Sequence, residues 1–151
     1  MKLEDEILQK KFRSETHKLA VNLIYTFNWQ DAFQQKEFKK YGITPQQFNL
    51  LRILRGQHPK PATIKLLKER MLDKMSDASR IVEKLRVKGL VDRDISPSDR
   101  RNCDVIINAK GLKLLEVIDN QEKFFDDFYS NLSDQEKKQL NDLLDKLRGN
   151  Q

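Results

Sequence analysis

The chain has very little of what most catalytic or secreted proteins depend on. Its 151 residues contain a single cysteine, Cys103, so no disulfide can form within the chain, as suits a reducing cytoplasm. Only two histidines are present, His17 and His58, and they lie far apart. They supply neither a metal site nor a Ser-His-Asp or Cys-His set. The five glycines occur singly, so there is no Gly-rich loop to cradle a phosphate. No apolar run is long enough to span a bilayer. The charged start, Met1-Lys2-Leu3-Glu4-Asp5-Glu6, lacks the apolar core of a signal peptide. There is no internal repeat and no low-complexity segment. These absences argue against an enzyme and against a membrane protein, and they imply no cofactor and no metal. The expectation is a cytoplasmic chain forming a single domain over residues 1–151.

Charge is what the chain has in quantity. Charged residues make up 34% and hydrophobic ones 38%, with a net charge of +6 and a pI near 9.4. Such a balance favours a polyanionic partner. The excess is local: residues 60–101 hold twelve Lys and Arg against seven Asp and Glu, and residues 110–151 hold seven against nine. A solvated lysine-rich surface would give the same numbers, so charge alone does not choose.

Apolar spacing and capping residues give the element order. From about Leu3 to Phe38 no Gly or Pro interrupts, and apolar residues recur at helical spacing, predicting one long helix or two joined ones. Tyr41-Gly42 ends this region. Thr44-Pro45-Gln46-Gln47 has the form of a capping box and opens a helix that Gly56 and His58-Pro59-Lys60-Pro61 close with a stiff connection. Thr63 caps a short helix with Ile64, Leu67 and Met71 inward. The next helix runs from about Met75 to Lys88, with Asp73 and Ser76 both suited to cap it. Gly89 ends it. Two strands follow, Leu90 to Ile95 and Asn102 to Ile107, joined by Ser96-Pro97-Ser98-Asp99. Asn108 caps a long helix carrying Leu112, Leu115, Phe124, Phe125 and Phe128. A second capping box at Ser133 to Glu136 opens the last helix, with Leu140, Leu143, Leu144 and Leu147. The fold class expected is mainly α with a small β-hairpin wing, a winged helix-turn-helix with a helical dimerisation region.

Helix, strand, basic turn, strand is an arrangement that can read DNA. The helix must bury Ala78, Ile81, Val82 and Leu85, which turns its polar side outward. Ser76, Asp77, Ser79 and Arg80 lie in its first turns, with Lys84 on its flank. Short hydroxyls permit close approach to the major groove, and arginine can bond guanine through two hydrogen bonds. Any solvated amphipathic helix shows a similar face; the adjacent hairpin decides between the two. Its tip carries Asp99, Arg100 and Arg101. Arginine there can enter the electronegative minor groove, and Asp99, two positions earlier, can hold Arg101 in a fixed pose. Arg100 and Lys74 are placed for phosphate contacts.

These segments resemble the MarR family of bacterial winged-helix transcription regulators. The resemblance rests on Asp99-Arg100-Arg101, on Val105-Ile106-Ile107-Asn108-Ala109-Lys110-Gly111, on Ser79-Arg80-Ile81-Val82 through Leu85, and on Lys88-Gly89-Leu90-Val91. The element order extends it to nearly the whole chain. Asn108 stands where the family usually has Thr, and the acidic residue Asp73 comes one position earlier than in many members. The resemblance implies a homodimeric repressor on double-stranded DNA, bound at a pseudo-palindromic operator and released by a small-molecule effector or an oxidant. The dimerisation region would be residues 1–42 and 110–151, and the DNA-binding region 44–108. A winged-helix protein–protein module without DNA binding is the alternative, against which the basic tip argues.

Two further features stay open at this level. Tyr25, Trp29 and Phe33, with Phe48 from the next helix, could line a ligand pocket, or serve core and interface packing. Cys103 is either a small inert packing residue or an oxidant sensor.

Overall fold

The computed structural model describes residues 2–95, 103–121 and 123–149. Two compact units emerge, residues 1–112 and residues 113–151.

In the first unit, α1 (Leu3–Glu6) is a single turn and α2 (Glu15–Lys39) is a long helix. The sequence predicts near-continuous helix here, yet residues 7–14 are not helical. Leu8 takes a left-handed backbone, φ 55°, which favours glycine. Ser14 then restarts the helix, its hydroxyl accepting the His17 N–H at 3.1 Å. The break lets α1 fold back on α2. Lys18 Nζ lies 2.5 Å from a Glu4 carboxylate oxygen, and the Tyr25 hydroxyl donates to Glu6 at 2.7 Å. In one unbroken helix Glu4 and Lys18 would stand about 21 Å apart along the axis.

Helix α3 (Pro45–Gln57) is the hub of this unit, touching α2, α4, α5 and β3. The Thr44–Gln47 capping box forms in both directions. Leu50, Leu51 and Leu54 are fully buried along one stripe, each worth roughly 1.5–3 kcal/mol relative to exposure. Gly56 sits inside the helix, so the stop falls at His58-Pro59 rather than at the glycine. Thr63 caps α4 (Ile64–Arg70), accepting the Leu66 N–H at 3.2 Å, and Leu67 and Met71 are buried as expected.

Helix α5 spans Ala78–Val87, about one turn shorter at its start than the sequence suggests, and its cap is Asp77 rather than Asp73 or Ser76. Gly89 follows with φ 68° and closes it. The sheet has three strands where two are expected, because the connection after α3 supplies β1 (Ala62–Thr63). The order is β1-β3-β2, all antiparallel, with β2 (Val91–Ile95) and β3 (Cys103–Ile107) paired from Val91↔Ile107 to Ile95↔Cys103. Ala62, Val91, Val105 and Ile107 are buried.

Helix α6 (Ala109–Asp119) begins at Asn108, whose side-chain oxygen accepts the Gly111 N–H at 3.1 Å. A single long helix as far as Phe128 does not form. The chain turns at Asn120-Gln121, where the Gln121 N–H bonds the Ile118 carbonyl at 2.9 Å, and α7 (Lys123–Phe128) follows. The Ser133–Glu136 capping box opens α8 (Asp134–Arg148), which has no buried residue.

Gly111 marks the tightest approach in the first unit. A Cβ there would lie 2.3 Å from the Leu90 carbonyl oxygen and 2.7 Å from Ile107 Cγ1. The backbone oxygen cannot rotate away, so Gly111→Ala should destabilise the protein by about 1–3 kcal/mol, measured as a lowered midpoint in urea unfolding.

Candidate nucleic-acid interface

Helix α5 presents two faces of opposite character. Ala78, Val82 and Leu85 are buried, and Ser79, Arg80, Lys84, Arg86 and Val87 are exposed. Asp77 caps it by accepting the Arg80 N–H at 3.0 Å. This gives Asp77 a structural duty as well as the DNA-contacting one expected from its position. The useful signal was present in the sequence: the apolar periodicity starts at Ala78, directly after an N-cap residue type.

The turn before α5 is tied by its own polar groups. Asp73 accepts the Met75 N–H at 2.9 Å and the Ser76 hydroxyl at 2.6 Å. These bonds, the Ser76 hydroxyl first and the Met75 amide second, hold the Asp73 carboxyl below its ordinary range. Lys74 Nζ donates to the Glu69 carbonyl at 2.5 Å, and the Leu72 N–H donates to Asn49 Oδ1 of α3 at 3.1 Å. Of the expected contact residues, Lys74 and Ser76 are thus engaged within the turn, and Ser79, Arg80 and Lys84 project into solvent.

The far end of α5 is anchored by residues that pattern reading missed. Lys88 Nζ donates to the Gly42 carbonyl at 2.5 Å and to Gln47 Oε1 at 2.8 Å, joining α5 to the α2–α3 corner. Gln47 is the one buried polar residue among those described. Lys110 Nζ bonds the Lys88 carbonyl at 3.0 Å, and Asn108 Nδ2 bonds the Gly89 carbonyl at 3.2 Å. Sequence separations of 19 to 46 residues hide these partners from any local pattern.

A polar chain also links α5 to the base of the hairpin. Glu83 pairs with Arg86 at 2.8 Å and lies 3.7 Å from Arg93 of β2. The Arg86 hydrogen bond, and then the charges of Arg86 and Arg93, hold the Glu83 carboxyl below its usual range. Arg93 in turn donates to Cys103 Sγ at 3.3 Å. Among the described residues, the arginine beside Cys103 is therefore Arg93. The hairpin tip, with Asp99, Arg100 and Arg101, falls outside the described residues.

The candidate pocket residues occupy α2 and α3. Tyr25, Trp29 and Phe33 are spaced by four and so share a face of α2. Tyr25 is bonded to Glu6, Trp29 is about half exposed, and Phe48 stacks on buried Phe38 with centroids 4.3 Å apart.

A three-stranded sheet flanking two short helices and a central third is the frame that comparison with known proteins also returns. Residues 41–102 match the model of the MarR family. The HTH-type transcriptional regulator MhqR of Bacillus subtilis is 27% identical over 128 residues, covering 84% of this chain and 87% of that protein. Residues 41–102 are thus similar to the MarR family. Solved winged-helix members share its fold. A MarR variant from E. coli complexed with operator DNA aligns with a TM-score of 0.73 at 24% identity, over 97% of this chain and 99% of that one. Bordetella bronchiseptica BpsR, whose DNA binding is regulated by 6-hydroxynicotinic acid, aligns with a TM-score of 0.71 at 21% identity, over 87% and 98%. The part that the family model covers contains α3, α4, α5 and β2, and it ends just before β3.

The Asp73 turn has a defined pH response. Its carboxyl is depressed in the folded state, so its contribution is present above the unfolded aspartate range and is lost as pH falls through the lower, folded value. Amide protection at Met75, corrected for intrinsic exchange, should hold at neutral pH and fall only in acid. Asp73→Ala should lower that protection already at pH 7.

Proposed function

We propose that the protein is a homodimeric repressor that binds a pseudo-palindromic operator. The observation that carries the reading is the outward face of α5: Ser79, Arg80 and Lys84 are exposed on a short helix tied to the body through Leu72–Asn49 before its start and Lys88–Gln47 at its end. Arg80 suits guanine in the major groove, and Arg100 and Lys74 suit phosphates. The Lys74 amine would exchange its Glu69 carbonyl for a phosphate oxygen. Arg101, steadied by Asp99, enters the minor groove. Ser76 and Asp77 lie at the same end of the helix, where they fix its start against the DNA.

Exposed apolar side chains support the dimer. Leu19, Leu23, Ile24, Phe27 and Trp29 on α2 are 37–67% exposed, and Leu140, Leu143 and Leu147 on α8 are 46–63% exposed. Soluble chains rarely leave such stripes open unless a partner covers them. A second copy would do so in an obligate interface, typically above ~2,000 Å² in total, and would set two α5 helices about 34 Å apart, one DNA turn. The α2 face with Tyr25, Trp29 and Phe33, together with Phe48, is the place for a small-molecule effector. BpsR, with its aromatic acid effector, supports that part of the reading.

Selection of genomic fragments by the purified protein should yield an operator whose affinity falls with salt by about 0.9 log units per log unit for each phosphate contacted. Arg101→Ala should weaken binding by roughly 1–3 kcal/mol while the protein stays folded. A flat salt response, or no retained fragment, would favour the protein–protein module instead. Sedimentation should give twice the chain mass, and Leu143→Glu combined with Leu147→Glu should reduce it to one. If those variants keep the mass of the parent, α8 does not form the interface.

A further inference from the structure

We propose that the turn joining α4 to α5 is itself a base-reading element, in which Leu72 and Met75 cover thymine methyl groups. The proposal rests on the DNA-binding reading above and adds to it a specificity that the polar face of α5 does not supply.

Leu72 and Met75 are 85% and 92% exposed, among the most exposed large apolar side chains described. They differ from the stripes on α2 and α8, which run along whole helices. These two stand alone in a turn, three residues apart. The turn's polar groups are directed back into the protein. Asp73 bonds Met75 N–H and the Ser76 hydroxyl, Asn49 takes the Leu72 N–H, and the Lys74 amine bonds the Glu69 carbonyl. A surface turn ordinarily does the reverse. Here the backbone is held in shape by polar side chains and the apolar ones are held out in water, at a cost that folding alone does not recover.

The surroundings choose the occupant. Lys65, Lys68, Arg70, Arg80 and Lys84 are exposed on the elements either side of the turn, and none forms an ion pair among the described residues. Of the nearby carboxylates, Asp73 and Asp77 are engaged by the turn and the helix cap, and Glu69 is exposed, against five exposed cations. An apolar pair on a turn between two cation-bearing helices fits a surface with apolar groups set between negative charges. The major groove offers that arrangement: phosphates along both walls, and on its floor the thymine C5-methyl as the one apolar group a base presents. The turn also leads directly into the first turn of α5 with Ser79 and Arg80, so one docking would engage both.

Uracil in place of thymine removes the methyl and leaves the base's hydrogen-bonding groups unchanged. The operator obtained from genomic selection would be amplified with dTTP or with dUTP and titrated with the parent protein, Met75→Ser, Leu72→Ser and the double variant. The parent should bind uracil operator more weakly, by roughly fourfold per methyl covered. Each single variant should lose a comparable factor on thymine operator and keep the part of the preference due to the remaining side chain, and the double variant should be indifferent to the exchange. Their log–log salt slopes should match the parent's, because no phosphate contact is removed. Both side chains lie outside the core, so unfolding midpoints should not move. If parent and variants lose the same factor on uracil DNA, the methyl-reading role is wrong while operator binding stands. If variants bind both operators like the parent, the patch serves a different partner, such as an acidic protein surface, and the proposal fails. If no fragment is retained at all, it falls together with the DNA-binding reading.

Discussion

Helix α5 is ten residues long, too short to persist alone in water. Its position, and with it the whole candidate interface, depends on being held from outside. Burial of Ala78, Val82 and Leu85 supplies the attraction. Direction comes from polar ties at the two ends: the Leu72 N–H to Asn49 of α3 just before the start, and Lys88 to Gly42 and Gln47 at the finish. Burial is non-directional and would tolerate some rotation of the helix about its axis. The end contacts remove that freedom, which matters for a face whose chemistry depends on where hydroxyl and guanidinium groups point.

The same economy extends to the hairpin. Glu83 reaches Arg93 and Arg93 reaches Cys103, so the base of the ribbon is referenced to the helix beside it. Asn108 bonds Gly89, where the helix ends and the strand begins, and its own oxygen starts α6. One amide side chain therefore serves three elements. Its amide divides the work between two atoms, Nδ2 donating to Gly89 and Oδ1 accepting from Gly111.

Much of this was legible in the sequence because the signals are local. The Thr44 and Ser133 capping boxes, the Thr63 and Asn108 caps and the Gly89 stop each involve residues within about four positions, and each forms as expected. The winged-helix order and the inward face of α5 followed from period alone. What pattern reading lost was decided at a distance. The break before Ser14 depends on Glu4 and Glu6 finding Lys18 and Tyr25. Strand β1 exists because Val105 offers Ala62 a partner. The site showed the same division: Ser79, Arg80 and Lys84 were found from helical phase, whereas Asn49, Arg93 and Lys88 matter through partners far along the chain. The start of α5 is the exception, a local signal at Asp77 that two equally good neighbouring residues obscured.

The Lys88 bridge to Gly42 and Gln47 gives the molecule a pivot. From that point α5 extends about 15 Å to its opposite end. A tilt of about 10° at the corner of α2 and α3 would then sweep the Arg80 end through roughly 2.6 Å, close to the length of one hydrogen bond. A disturbance too small to unpack any leucine of α3 is thus magnified, lever-fashion, into the difference between touching a base edge and missing it.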